Sequence, residues 1–285
     1  VVIQELLKWG SEALSGIEYS NPQQETRLIL SQLLGVDRSY LYAHGDKEVS
    51  EEEKDKFIWI IERRKSGEPL QYILGIQEFM GIDFKVGNGV LIPRGDTELL
   101  VEWLIKFIDE EFDDRTYRML DIGVGSGAIS LSTAYHRPKG EIIGVDISKE
   151  ALMIAEENRI NLRLDNVRFI ESDLFSSIGE EYLQGFDIIA SNPPYIPEGD
   201  RETLQKEVRM YEPALALFGG EDGLDYYRKI TSQARKYLAN GGLLIFEIGA
   251  GQGPDVARIM EGNGFKAVTV EKDLENRDRI VAGRS

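Results

Sequence analysis

The chain has 285 residues, 42% hydrophobic and 29% charged, with a net charge of -17 and no cysteine. That length buries a core without covalent staples, and the missing thiols exclude disulfides and thiolate metal sites and fit a reducing cytoplasm. Phosphate backbones are bound through Lys and Arg, so the acidic balance argues against a nucleic-acid surface, and no stretch reaches the roughly 18 apolar residues of a membrane span.

Residues 1–66 read as a small helical domain. Ile3, Leu6, Leu7, Ala13 and Leu14 recur at helical spacing. Asn21-Pro22 pairs an N-cap with proline at the first helical position, and Leu28, Ile29, Leu33 and Leu34 supply a buried stripe. Ser50 and Glu53 form a capping-box pair ahead of Phe57, Ile60 and Ile61. The acidic run after Ser50 is then a solvated first turn favoured by the helix dipole. With no catalytic cluster, this domain reads as a module that docks the substrate.

Across 67–95, glycines at 75, 81, 87 and 89 separate short runs such as Tyr72-Ile73-Leu74 and Val90-Leu91-Ile92. This pattern predicts a β-hairpin linker. A third region, 96–285, opens on an amphipathic helix marked by Leu100, Trp103, Leu104, Phe107 and Ile108. Strands are then expected at 117–122, 141–145, 167–171, 186–190, 242–247, 266–270 and 278–283. Helices are expected around 127–136, 149–161, 224–238 and 253–262. Such alternation predicts an α/β parallel sheet with helices on both faces. Only a short turn separates the last two strands, so one of them should be antiparallel.

The first strand runs through Asp121-Ile122 into the turn Gly123-Val124-Gly125-Ser126-Gly127. Glycines let a backbone turn sharply and leave room for a ligand to lie against it. Gly123, Gly125 and Ala128 also satisfy a dinucleotide fingerprint, which keeps a nicotinamide or flavin site open. Asp121, two residues before the first glycine, would repel a pyrophosphate and suits a cationic amino group instead. Asp146 ends the next strand, placed to accept two ribose hydroxyls from either kind of cofactor. Asp173 and Leu174 could read an adenine through its amine and ring, or Asp173 could cap a helix.

The fourth strand leads into Ser191-Asn192-Pro193-Pro194-Tyr195. Two prolines stiffen the turn and fix where the Pro193 carbonyl points. The Asn192 side-chain oxygen and that carbonyl can each accept a hydrogen from one NH2 group, while Tyr195 offers a flat face for stacking. An amide nitrogen is a poor nucleophile because its lone pair is delocalised. Two acceptors holding its hydrogens orient it and favour the charge that develops on methylation, with no metal required.

Asn-Pro-Pro-Tyr after the fourth strand, with the glycine turn, resembles the class I methyltransferases of planar nitrogens. These act on DNA adenine, rRNA guanine or protein glutamine, so the tetrapeptide names the nitrogen and not the substrate. Nearly the whole chain is similar to the release factor glutamine methyltransferases. The matching stretches are Gly67–Gly75, Phe79-Met80-Gly81, Val90–Arg94 with Thr97-Glu98, Phe218–Leu224, Glu247-Ile248-Gly249 and Asp278-Arg279. The resemblance implies a seven-stranded Rossmann-like methyltransferase sheet and S-adenosylmethionine bound at Asp121, Gly123, Val124, Gly125, Ser126, Gly127, Asp146, Asp173, Leu174 and Asn192. It implies catalysis by Asn192, Pro193 and Tyr195, with Pro194 beside them in the substrate site. The implied substrate is the glutamine of the Gly-Gly-Gln loop in class 1 peptide-chain release factors. A cytoplasmic monomer that touches neither membrane nor nucleic acid is expected. The chain departs from the family where Gly95-Asp96 replaces Pro-Glu, and at Leu174, where some relatives carry Trp. A ribosomal-protein glutamine and a nucleic-acid amine stay open as alternative substrates.

His44 and His136 lack ligand-spaced partners and read as structural or surface residues. Trp9, Trp59 and Trp103 read as core. Arg94, after a stiff proline, should either line the cofactor cleft or hold the linker.

Overall fold

The structure, a computed structural model, describes every residue except Tyr19 and Asp114. The chain forms two compact units, one of residues 1–75 with 205–211, the other of 76–204 with 212–285. The helical unit thus runs past residue 66 and takes in a segment from far along the chain.

Among the described residues the first unit is built by α1 (Ile3–Ala13), α2 (Pro22–Leu34), α3 (Arg38–Ala43), α4 (Glu51–Lys65) and α5 (Leu70–Leu74), with one further short helix from the later segment. Asn21 caps α2 by accepting from the Gln24 amide, and Ser50 and Glu53 form a reciprocal capping box on α4. Ile3, Leu6, Leu14, Ile29, Phe57 and Ile61 fill the core between them. Arg64 is buried, but its charge is met by Glu25 and by Glu207 of the inserted segment, each at 2.7 Å.

Two expectations fail here. Tyr72-Ile73-Leu74 is helical rather than strand-forming, because Pro69 precedes a turn of helix that Gly75 ends at φ 75°. Trp59 is 58% exposed and Trp9 38%, so neither is core. Phe57, Ile61 and Arg64 face inward on α4, and Trp59 falls on the opposite side, where Arg63 lies over its ring. Trp103 is partly buried against the core of the second unit.

The second unit opens with a hairpin, β1 (Ile76–Phe79) and β2 (Ile82–Lys85), then α6 (Gly95–Phe112). Val90–Ile92 forms no strand. There follow β3 (Tyr117–Ile122), α7 (Ala128–His136), β4 (Gly140–Asp146), α8 (Lys149–Leu162), β5 (Val167–Glu171) and β6 (Phe186–Ser191). Of the two short helices that precede α11 (Asp225–Tyr237), α9 (Lys206–Tyr211) belongs to the first unit and α10 (Ala214–Leu217) to the second. The chain closes with β7 (Leu238–Glu247), α12 (Gly253–Gly262), β8 (Lys266–Lys272) and β9 (Asp278–Arg284).

The seven-stranded sheet runs β5-β4-β3-β6-β7-β9-β8, with β9 antiparallel to both neighbours and the other pairs parallel. Its central strands are apolar on both faces. Met119, Ile142 and Ile188 pack towards one set of helices, Leu120, Ile143 and Ile189 towards the other. From β3 the chain winds outward through β4 and β5, then returns to lay β6 on the other side of β3. The reversal opens a crevice beyond the carboxyl ends of β3 and β6, where open α/β sheets take their ligands.

Candidate active site

A cavity of about 300 Å³ occupies that crevice. Gly123 and Gly125 from the first turn, Asp146 from β4, Asp173 and Leu174 after β5, and Asn192 after β6 all line it. Four segments distant in sequence therefore converge at one edge of the sheet.

The glycine turn is held from several sides. Gly123 and Gly125 adopt φ 82° and 56°, conformations that side chains disfavour. The Asp146 carboxylate accepts the Gly125 amide through one oxygen and the Ser148 amide through the other, both at 2.9 Å. Asp146 thus shapes the turn while facing the cavity. Asn158 donates to the Ser126 carbonyl at 2.9 Å and exchanges two hydrogen bonds with the backbone of Lys85, joining turn, α8 and hairpin.

Asp121, Val124, Ser126 and Gly127 stand behind this wall. Asp121 is fully buried, and one of its oxygens accepts both the amide and the hydroxyl of Ser130. Its other oxygen has no hydrogen-bond partner. Burial pushes this carboxyl up to about 7, against the pull of the Ser130 donors, with Asp146 nearby adding to the rise. A buried, half-satisfied carboxyl fits a cationic group of a bound cofactor.

Asp173 begins a turn, not a helix, so it caps nothing and its exposed carboxylate faces the cavity. Leu174 stands at φ 52° on the cavity wall, its carbonyl held by the Ser172 hydroxyl.

The Ser191–Tyr195 turn is fixed by its neighbours. Ser191 donates its hydroxyl to the Ile122 carbonyl at 2.6 Å, and Gln252 donates to the Tyr195 carbonyl at 3.0 Å. Beyond it, Ile196 is stitched to the stretch around Phe218 by two backbone hydrogen bonds, donating to the Leu217 carbonyl and accepting from the Gly219 amide. Gly223 is packed so closely under Tyr195 that a Cβ there would collide with the Tyr195 carbonyl oxygen. The Phe218–Leu224 stretch therefore acts as the backing of the loop. Asn192, Pro193 and Pro194 line the cavity, whereas Tyr195 packs against the hydrophobic core beside Gly249. Burial pushes its hydroxyl up to about 12, so it stays protonated.

Arg94 pairs with Glu212, which directly precedes Pro213 on the cavity wall. The arginine secures that wall and does not line the cavity. His44 is exposed, His136 is half-buried, and neither lines the cavity. Among the described residues no cluster of His, Asp and Glu could hold a metal ion.

Sequence reasoning missed three residues here. Tyr226 lines the cavity from α11, its hydroxyl raised by burial and by the nearby Asp173 and Asp146. Thr97 and Glu247 stand beside Asn192, where burial pushes Glu247 up to about 7. Only tertiary structure brings them there, although the Thr97-Glu98 and Glu247-Ile248-Gly249 stretches were visible signals.

The strand order and glycine turn define the chain as a Rossmann-like methyltransferase, and a methyltransferase-domain model matches residues 113–264. A PrmC N-terminal domain model matches residues 5–75. The release factor glutamine methyltransferase of Geobacter sulfurreducens is 43% identical over 99% of this chain and 96% of its own. That of Fusobacterium nucleatum is 42% identical over 93% of this chain and 73% of its own. A methyltransferase from Pyrococcus furiosus shares the fold, with a TM-score of 0.51 at 15% identity over 82% of this chain and 98% of its own. The chain belongs to the release factor glutamine methyltransferase family.

Proposed function

We propose that this protein transfers a methyl group from S-adenosylmethionine to the side-chain amide nitrogen of the glutamine in the Gly-Gly-Gln motif of class 1 peptide-chain release factors. The observation that carries this reading is the convergence of Asn192 and Pro193 on the cavity that Asp146 and the glycine turn also line. The cofactor supplies an electrophilic methyl on a sulfonium. Asp146 suits its ribose hydroxyls, Asp173, Leu174 and Tyr226 its base, and the free oxygen of Asp121 its amino group.

Asn192 and the Pro193 carbonyl would accept the two hydrogens of the glutamine NH2. That fixes the nitrogen's direction and stabilises the positive charge it gains in the transition state. The methylated nitrogen is strongly acidic and loses its proton to water. The helical unit would dock the release factor. Among the described residues no helix is long and apolar enough to cross a membrane.

Labelled cofactor incubated with a release factor should label it, and replacing the loop glutamine should abolish the label. Label that survives that replacement, or that goes only to a ribosomal protein in competition, overturns the assignment.

Asp121 gives a second test. A carboxyl near 7 is about half protonated at neutral pH, and a cationic amino group beside it favours ionisation. Cofactor binding at pH 7 should therefore release up to about half a proton. Calorimetric titration with S-adenosylhomocysteine in buffers of different ionisation enthalpy measures this directly. Buffer dependence that Asp121→Asn leaves unchanged would place the proton elsewhere.

A further inference from the structure

Neither Arg94 nor Glu212 lines the cavity, yet the segment they hold forms part of its wall. Glu212 is where the chain re-enters the second unit, because residues 205–211 belong to the first. From Glu198 to Tyr211 no residue is buried, so no apolar side chain anchors the approach. Glu212 itself is buried, its side chain 1% exposed, and its carboxylate pairs with the Arg94 guanidinium. Pro213, Leu215 and Ala216 follow at once and line the cavity.

The arginine is a fixed post. Ile92 and Pro93 before it are buried, and its own carbonyl accepts the Thr97 amide as α6 begins. Its side chain is 40% exposed, so only the carboxylate of the pair is taken fully out of water. A carboxylate buried that deeply is tolerated beside a positive charge and costly without one. Glu212 must therefore come to Arg94, and the wall starts there. The far end of the wall is pinned separately. The Leu217 carbonyl accepts the Ile196 amide at 2.9 Å, one residue beyond the Asn192–Tyr195 loop. Between the two pins, α10 buries only Leu217, and Leu215 is 53% exposed on the cavity wall.

We propose that Arg94 and Glu212 form a clasp that positions the Pro213–Ala216 wall beside the Asn192–Tyr195 loop, and so sets how the glutamine side chain is seated for methyl transfer. Both are positioning residues that act through the wall. The proposal rests on the reading of this cavity as the site of glutamine methylation. The residues assigned there to the ribose and amino group of the cofactor come from β3, β4 and the turns after them. Loosening the clasp should therefore cost turnover of the release factor and spare cofactor affinity.

Three variants test this. Arg94→Gln leaves the buried carboxylate without its charge partner, Arg94→Lys keeps a charge there, and Glu212→Ala frees the wall with no charge left buried. The readings are steady-state kinetics with a class 1 release factor, S-adenosylhomocysteine affinity, and hydrogen exchange of the 214–217 amides. Arg94→Gln and Glu212→Ala should each lower kcat/KM roughly 10- to 100-fold, because a reacting group misplaced by about 1 Å costs up to about 100-fold. Cofactor Kd should change less than about threefold, exchange should quicken at 214–217, and Arg94→Lys should keep most of the rate. Wild-type kcat/KM in Arg94→Gln overturns the proposal. So does a rise in cofactor Kd that matches the loss of rate, and so do equal losses in Arg94→Lys and Arg94→Gln, which would mean packing alone. Should Arg94→Gln fail to fold, Glu212→Ala decides on the same readings. The two levels stay separate: a wild-type enzyme that leaves the release factor unmethylated sinks the reading of the site. If the wild type methylates it and the variants match the wild type, only the clasp fails.

Discussion

Asn192→Ala should lower kcat roughly 100- to 1,000-fold while changing cofactor affinity less than about threefold, the loss expected when one preorganised partner of a developing charge is removed. The asymmetry follows from placement. Asn192 lies at the mouth of β6, whereas Asp146 and the glycine turn, the residues proposed to hold the cofactor, line the cavity from β4 and β3. The amide nitrogen of the substrate has little intrinsic nucleophilicity, so the rate depends on the acceptors that hold its hydrogens. Stopped turnover with intact S-adenosylhomocysteine binding is the expected signature. Equal losses in kcat and cofactor affinity would make Asn192 a binding contact.

Asp146→Ala should act the other way, on binding. Its two oxygens hold the Gly125 and Ser148 amides and present the remaining lone pairs to the cavity. Hydrogen bonds to a charged acceptor contribute about 1.5–3 kcal/mol each, and the variant would lose those that shape the turn as well as those proposed to ribose. Cofactor Kd should rise at least about 100-fold, with a small fall in the Tm of the cofactor-free protein. Calorimetric affinity close to wild type would show that the turn holds its shape unaided. Asn192 and Asp146 stand on neighbouring walls of one cavity, yet one should govern turnover and the other occupancy.

The parallel sheet was legible in the sequence because its strands are buried on both faces. Segments such as Met119–Ile122 and Phe186–Ala190 read as short apolar runs, and each ends at a chemically marked turn. Helix starts were equally plain where a side chain caps the first turn, as Asn21 and Ser50 do. The linker was less readable. Tyr72–Leu74 and Ile76–Phe79 are both too short to show a period, and the left-handed Gly75 between them divides helix from strand. The stretch from Pro197 to Leu217 is short helical turns whose packing comes from elsewhere, and no periodicity announces it.

The site divides in the same way. Residues on strand ends, such as Asp146 and Asn192, could be placed because a parallel sheet brings all its carboxyl ends to one edge. Tyr195 follows the same strand end, yet its ring packs against the core, where Gly249 has no side chain to crowd it. Thr97 and Tyr226 reach the site from helix surfaces, where sequence distance says nothing about proximity. Glu247 reads in sequence as the end of a buried strand, and nothing local reveals that Asn192 is its neighbour.

The central claim concerns one nitrogen atom, and fragment mass spectrometry of a class 1 release factor after reaction tests it most directly. The account predicts a mass gain of one methylene confined to the side chain of the Gly-Gly-Gln glutamine, present with the wild-type enzyme and missing with Asn192→Ala. A methyl group on any other residue, or on that glutamine at an undiminished rate with Asn192→Ala, would contradict it.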